Sequence, residues 1–306
     1  MMGSPADEAD RLSTEDFHKV SLTRGYWLAD TAVTQAAWQA IIGRNPVEFQ
    51  DDKFNPVEEV SWDNAQEFIT ELNRRIAEAG GTEEGMLFRL PTEAEWEHAC
   101  RAGTDTPFSF GTNITPEQVN YNGNRPYANG EKGAYRKKTV PVKSLPPNPW
   151  GLYEMHGNVW EWCADSWEEH LGEQPVADPY HASGSFRVMR GGSWGGNGRN
   201  VRSACRFHYS PDRRDDNVGF RLASGHKLRP HGSAQDKGQP PPWTRNVRSS
   251  DGQGGAWSRK KCWLLVPRLC LGMIIVKLRF IWEAGLQGQG FPSRSLGTRG
   301  GSEESE

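Results

Sequence analysis

A chain of 306 residues has room for one large domain or two small ones, and its near-balanced net charge of −3 provides no field that would select nucleic acid or acidic lipid as its main partner. Its 13 tryptophans and 34 glycines suit a loop-rich globular fold pinned by large aromatic anchors rather than a helical bundle. The 5 cysteines are odd in number and widely spaced, which does not fit a secreted disulfide framework, and without a Cys-x-x-Cys or His-x-x-x-His pair there is no case for zinc.

The opening stretch Met1–Arg11 lacks a basic-then-apolar signal pattern, so a cytoplasmic location is the default expectation. From Phe17 to Asp30 apolar and polar residues alternate as in a half-buried strand. Thr34 to Ile42 then reads as a short amphipathic helix, capped by Thr34 and stopped by Gly43. A second helix follows Pro56–Ser61, capped by Ser61 or Asp63, with Ala65, Phe68, Ile69, Leu72 and Ile76 at helical spacing. In a third helix Thr92 and Glu95 form a capping box, and Trp96, Ala99 and Cys100 form the apolar face. Glu93, Glu95 and Glu97 at its start are read as charges favourable to the helix dipole rather than as acid–base groups. His18, His98 and His156 have no nucleophile or carboxylate at a diagnostic spacing.

From about Gly103 to Pro149 glycine, asparagine and proline predict long ordered loops, and the prolines of Val140–Asn148 exclude a central strand. Trp160–Trp162 and Phe186–Arg190 read as core strands, and Cys100 and Cys163 as buried free thiols.

Several motifs occur in a fixed order: Met2-Gly-Ser-Pro5, Thr31-Ala-Val-Thr-Gln35, Pro56-Val-Glu-Glu-Val-Ser-Trp62, Arg89-Leu-Pro-Thr-Glu-Ala-Glu-Trp-Glu97, Tyr153-Glu-Met-His-Gly-Asn-Val-Trp-Glu-Trp162, Arg190-Gly-Gly-Ser-Trp194 and Asn217-Val-Gly-Phe-Arg-Leu-Ala223. This series resembles the sulfatase-modifying-factor family, whose type member is the formylglycine-generating enzyme. The resemblance implies an α+β, irregular, loop-rich fold related to C-type lectins, with flanking helices and a small twisted antiparallel sheet. It covers residues 1–223. Domains of the family usually open with a strand ahead of the Met-Gly-Ser motif, so the expectation is a start further upstream or a missing edge strand. Residues 224–306 read as a linker-like, disordered extension. Within it, Cys262–Trp282 is apolar but broken by Pro267, Arg268, Lys277 and Arg279, which argues against a transmembrane helix. A peripheral membrane anchor there is the alternative to an unselected extension, and the latter is preferred.

The family's copper ion sits between two thiolates, and the resemblance places them at Gly196 and Val201, neither of which is a cysteine. Cys205 is a single thiol, and one thiolate cannot make the linear pair. No copper is therefore expected. Trp160 and Ser193 match residues lining the family's cleft, and each also has a plain structural role, Trp160 as core and Ser193 at a strand end. By the same resemblance Gly157, Val159 and Glu161 form a calcium loop, with two backbone carbonyls and one carboxylate as hard oxygen ligands. A buried glutamate held by backbone amides or an arginine explains Glu161 equally well. A second calcium loop near Asn120 and Tyr121 lacks its aspartate.

The span from Trp194 to Arg214 offers Trp194, Gly195, Gly196, Asn197, Cys205, Phe207, His208, Tyr209 and Arg213 among scaffold-like Arg202, Ser203, Pro211 and Asp212. Large rigid aromatics beside arginine and asparagine form a recognition palette. The competing reading is an ordinary loop with Phe207 or Tyr209 packed inward. The segment also looks like the variable region of proteins diversified by retroelements, in which asparagine codons are randomised at adenines. That process does not yield Trp, Met, Gln, Glu or Lys, and none of these occurs between Gly195 and Val218. The expected function is non-catalytic binding of a protein or small-molecule ligand through the 194–214 surface. The alternative is a metal-dependent oxidase or modifying enzyme of the same family.

Overall fold

The helices begin at residues whose side chains close a first turn. In the computed structural model, which describes residues 1–80, 87–230 and 278–281, helix α1 (Gln35–Ile42) is capped by Thr34, whose hydroxyl accepts the Ala37 N–H at 3.2 Å. It stops at Gly43 in the left-handed conformation, φ 84°. Helix α2 (Trp62–Glu78) starts from Ser61 rather than Asp63, because Ser61 Oγ accepts the Asn64 N–H at 3.1 Å and Asn64 Oδ1 accepts the Ser61 N–H in return. Its five periodic apolar residues are all buried. Helix α3 (Glu93–Arg101) carries the expected Thr92–Glu95 capping box.

The single strand expected over 17–30 is two: β1 (Val20–Ser21) and β2 (Tyr26–Ala29). Between them Thr23 gives its N–H and hydroxyl to Asp178, which breaks the run. The remaining strands are β3 (Leu87–Arg89), β4 (Trp160–Ser166), β5 (Val176–Ala177), β6 (Arg187–Arg190), β7 (Arg206–Tyr209), β8 (Val218–Gly219), β9 (Ala223–Gly225) and β10 (Leu278–Ile281). They build two four-stranded sheets, β10-β2-β9-β3 and β7-β6-β4-β8, and a small parallel pair, β1-β5. The first sheet is antiparallel throughout, whereas β8 joins β4 in parallel. The α+β, loop-rich character stands, with two sheets in place of one. Between residues 103 and 159 only isolated bridges occur.

Aromatic side chains join these elements. Trp38 of α1 stacks on Phe68 of α2 at 5.5 Å, and Phe220 meets both edge-on. Burying each such ring contributes roughly 2–3 kcal/mol. A second set of ties consists of buried ion pairs. Arg202 donates to Glu15 at 2.6 and 2.8 Å and to Glu8 at 2.6 Å, which pins the N-terminal segment. Arg206 donates to Glu93 at 2.6 and 3.0 Å, and Arg190 pairs with Glu97. Glu93 and Glu97 are therefore partners of buried arginines rather than simple dipole charges at a helix start.

Within the segment read as a linker, Ser224 and Gly225 complete β9, and β10 adds to the β2 edge with Leu278 opposite Ala29 and Ile281 opposite Tyr26. Ile281 is buried among Tyr26, Leu28 and Trp96. The rest of the apolar stretch, Cys262–Lys277 and Trp282, lies outside the described residues. Among the described residues no helix is long and apolar enough to cross a membrane.

Candidate functional site

Among the described residues β7 is the edge strand of its sheet and pairs with β6 alone, with Phe207 opposite Met189 and His208 opposite Val188. Side chains alternate along a strand, so Arg206 and His208 face one way and Phe207 and Tyr209 the other. Arg206 is buried against Glu93 with its guanidinium 4.4 Å from the Trp167 ring, and His208 packs on Trp167 and Phe186 at 4.5 and 4.9 Å. On the opposite face Phe207 stacks on Trp160 at 5.6 Å and meets Tyr209 edge-on at 5.4 Å, with Arg213 lying 5.5 Å over Tyr209. Phe207 still leaves 42% of its surface exposed. The Phe207 and His208 rings nevertheless stack at 5.9 Å, so His208 borders the sequence-predicted surface while its other side packs on Trp167 and Phe186.

Trp194 anchors the other end. Its indole sits against Phe49 at 5.5 Å and Tyr135 at 6.3 Å, and Nε1 donates to the Asp216 carbonyl at 3.3 Å. Phe49 and Tyr135 carry no signal in the sequence, because they stand in irregular loops without periodicity. Asn197 precedes a single 3₁₀ turn (Gly198–Val201), and its N–H donates to Asn200 Oδ1 at 3.0 Å. Arg213 is exposed and paired with Asp215 at 3.0 Å.

The glycines of this span fall into two kinds. A Cβ at Gly195 would meet nothing within 4 Å, and one at Gly196 would come no closer than 3.3 Å to any atom. A Cβ at Gly198 would lie 2.3 Å from the Tyr127 nitrogen, and Gly192 has φ +72° with Val201 only 2.4 Å away. Gly195→Tyr is accordingly expected to change stability by less than about 0.5 kcal/mol, and Gly198→Ala to cost about 2–4 kcal/mol, in denaturant unfolding. Equal costs would remove the distinction between open and locked positions.

Cys205 does not belong to the surface. It is 1% exposed in the main core, and burial, followed by the Glu15 charge, pushes its thiol up to about 11. Burial likewise raises Cys100 to about 12 and Cys163 well above the ordinary thiol range. The three thiols among the described residues are buried and protonated at neutral pH, unlike a reactive thiolate. At the two positions the resemblance gives to copper ligands, Gly196 has no side-chain donor and Val201 is a fully buried valine. This donor set does not fit copper.

The calcium loop also has its carboxylate engaged. Glu161 is 1% exposed and accepts two bonds from Arg221, at 2.6 and 2.7 Å, and one from Trp96 Nε1 at 2.7 Å. Arg221 further donates to the carbonyls of Ala29 and Tyr153. A hard cation would have to displace a buried guanidinium from the single carboxylate in the set, so the set does not fit calcium. Gly157 (φ 79°) and Asn158 (φ 68°) turn the chain so that the Asn158 N–H reaches the Asn120 carbonyl at 2.8 Å, and Val159 is core. The loop holds the structure together through its backbone.

A family model, the sulfatase-modifying factor enzyme 1-like domain, matches residues 1–225. The chain belongs to this family. It is similar to the formylglycine-generating enzyme of Mus musculus, 36% identical over 182 residues that make up 56% of this chain and 45% of the mouse protein. It is also similar to the inactive C-alpha-formylglycine-generating enzyme 2 of Bos taurus, 31% identical over 213 residues covering 65% of this chain and 59% of that protein. The chain thus spans about half the length of the curated relatives it matches. Among solved structures it resembles Treponema denticola variable protein 1, with a TM-score of 0.60 and 34% identity, covering 72% of this chain and 90% of that one. Within the family the span around Trp194–Arg213 therefore sits on the type of fold that the motif series predicts.

Proposed function

We propose that the protein is a non-catalytic ligand-binding member of the family that reads its ligand through the surface formed by Trp194, Gly195, Gly196, Asn197, Phe207, His208, Tyr209 and Arg213, and that this surface is diversified by a retroelement. The observation that carries the reading is the interleaving of open and locked positions. Gly195 and Phe207 face open space, whereas Gly198, Arg202 and Cys205 between them are enclosed. Substitutions at the first kind alter what the surface recognises, and the second kind keeps the scaffold unchanged. Exposed Phe207 with Tyr209, Trp194 and Arg213 supplies rigid rings and adaptable polar groups. Likeness to a variable protein, and the absence of Trp, Met, Gln, Glu and Lys from 195 to 218, support diversification.

The test is at the locus and at the bench. A near-copy of the codons for residues 190–223, differing at adenines and lying beside a reverse-transcriptase gene, is the expected finding. A locus without them overturns diversification. A second reading, a modifying enzyme, is favoured by the likeness to the mouse formylglycine-generating enzyme. Purified protein given copper(I) and a cysteine-containing sulfatase-motif peptide is expected to form no aldehyde, and aldehyde formation would replace the binding reading with this one.

A further inference from the structure

A small, partly open cleft of about 60 Å³ lies where four chain segments meet: Leu22–Gly25 ahead of β2, the β3–α3 junction, Asp178–Tyr180 after β5, and His226–Arg229 after β9. None of its lining residues belongs to the Trp194–Arg214 surface. Arg24, Arg89, Lys227 and Arg229 line it together with His226, so the cleft is rich in positive charge although the chain's overall charge is −3.

The two carboxylates in its wall are already engaged. Glu95 accepts from Arg89 at 2.6 and 2.7 Å and from the Thr92 N–H at 2.9 Å, which completes the α3 capping box. Asp178 accepts the N–H and hydroxyl of Thr23. Arg89 is held in place by these bonds, and its Nε also reaches the His226 carbonyl at 3.3 Å, so the helix start and the segment after β9 are fixed to each other. Burial, and then the charges of Arg24, Arg89 and Arg229, hold the His226 imidazole below its ordinary range. Near neutral pH it therefore offers one N–H donor. Concave walls concentrate the field of the cations that line them. Leu22, Tyr180 and Leu228 give the same cleft an apolar side.

We propose that this cleft binds a small, multiply charged oxyanion of the phosphate or sulfate type, as the free ion or as the terminal group of an ester. A tetrahedral dianion meets several cations at once, which a carboxylate does less well. Calorimetric titration of the full chain at low ionic strength with inorganic phosphate, sulfate, phenyl phosphate and acetate tests it. Saturable binding of the tetrahedral anions, tighter than acetate, is expected. Tighter binding of phenyl phosphate than of phosphate assigns the site to an ester, and equal binding assigns it to the free ion. Lys227→Glu should weaken binding by about tenfold or more, since it reverses an exposed charge close to the anion. Arg44→Glu, at an exposed position outside the cleft, should not. Absence of saturable binding, heats that sodium chloride reproduces at equal ionic strength, or unchanged affinity in a folded Lys227→Glu protein would each overturn the proposal.

Discussion

Arg221→Leu is expected to destabilise the protein by about 3–5 kcal/mol in denaturant unfolding, because it leaves the Glu161 carboxylate buried and without its cation. The arginine is fully buried, and its donors go to Glu161 and to the carbonyls of Ala29 and Tyr153, so one side chain joins β4, β2 and the Tyr153 loop. Removing both partners, as in Arg221→Leu with Glu161→Gln, should cost about 1–2 kcal/mol less than the single change, since no uncompensated charge remains. Additive losses would show that the pair is not coupled. With the carboxylate held by Arg221, calcium should add nothing measurable to the wild-type unfolding midpoint. A midpoint that rises with calcium and falls with chelator would show that the loop takes the ion after all.

The second large effect concerns pH. Asp165 lies on β4 beside α3, where its carboxylate oxygens accept the Glu93 N–H at 2.8 Å and the His181 N–H at 3.1 Å. Burial, and then the neighbouring Glu93 charge, push Asp165 up to about 7. Glu93 itself is held below the usual carboxylate range: burial opposes its charge, but Arg206 and Arg190 outweigh that. Two neighbouring carboxyls are thus driven apart, the one facing arginine staying ionised and the other keeping its proton until the pH nears 7.

The folded form of Asp165 favours the proton more than the unfolded chain does. Its contribution to stability is therefore complete below the unfolded value near 4 and is lost as pH rises through about 7. In that window the slope should be about 1.4 kcal/mol per pH unit, a total of roughly 2–4 kcal/mol. Asp165→Asn cannot titrate, so its stability measured from pH 4.5 to 7.5 should fall less steeply than that of the wild type by about one proton's worth. Parallel curves would mean that Asp165 is ionised in the fold across this range.

The parts of the fold that were legible in advance are those decided within one or two turns of chain. Thr34, Ser61 and Thr92 cap their helices because the N–H groups they satisfy lie three residues away. The α2 core face was readable from its period for the same reason. The motif series gave the family because its residues sit at tight turns and buried contacts that few substitutions satisfy, such as Gly157, where a Cβ would lie 2.3 Å from the Asn120 carbonyl.

The surface was less legible. On β7 the residue that turns inward is Arg206, which composition alone would place outside, and it does so because Glu93, 113 positions away, supplies its counter-charge. That pairing fixes the parity of the strand and exposes Phe207, with the His208 ring stacked beside it. Cys205 is buried because Arg202 and Arg206 on either side of it are anchored to Glu15 and Glu93.

The family motifs, the helices with their caps, and the span in which recognition is proposed all follow from residues close together in the chain. Long-range packing, by contrast, sets which side chains of that span reach solvent, holds Glu161 against Arg221, and brings four separated segments together into a basic cleft. Caps and periodicity act between neighbours in the chain, whereas buried charges are placed by partners that folding alone brings within hydrogen-bond distance.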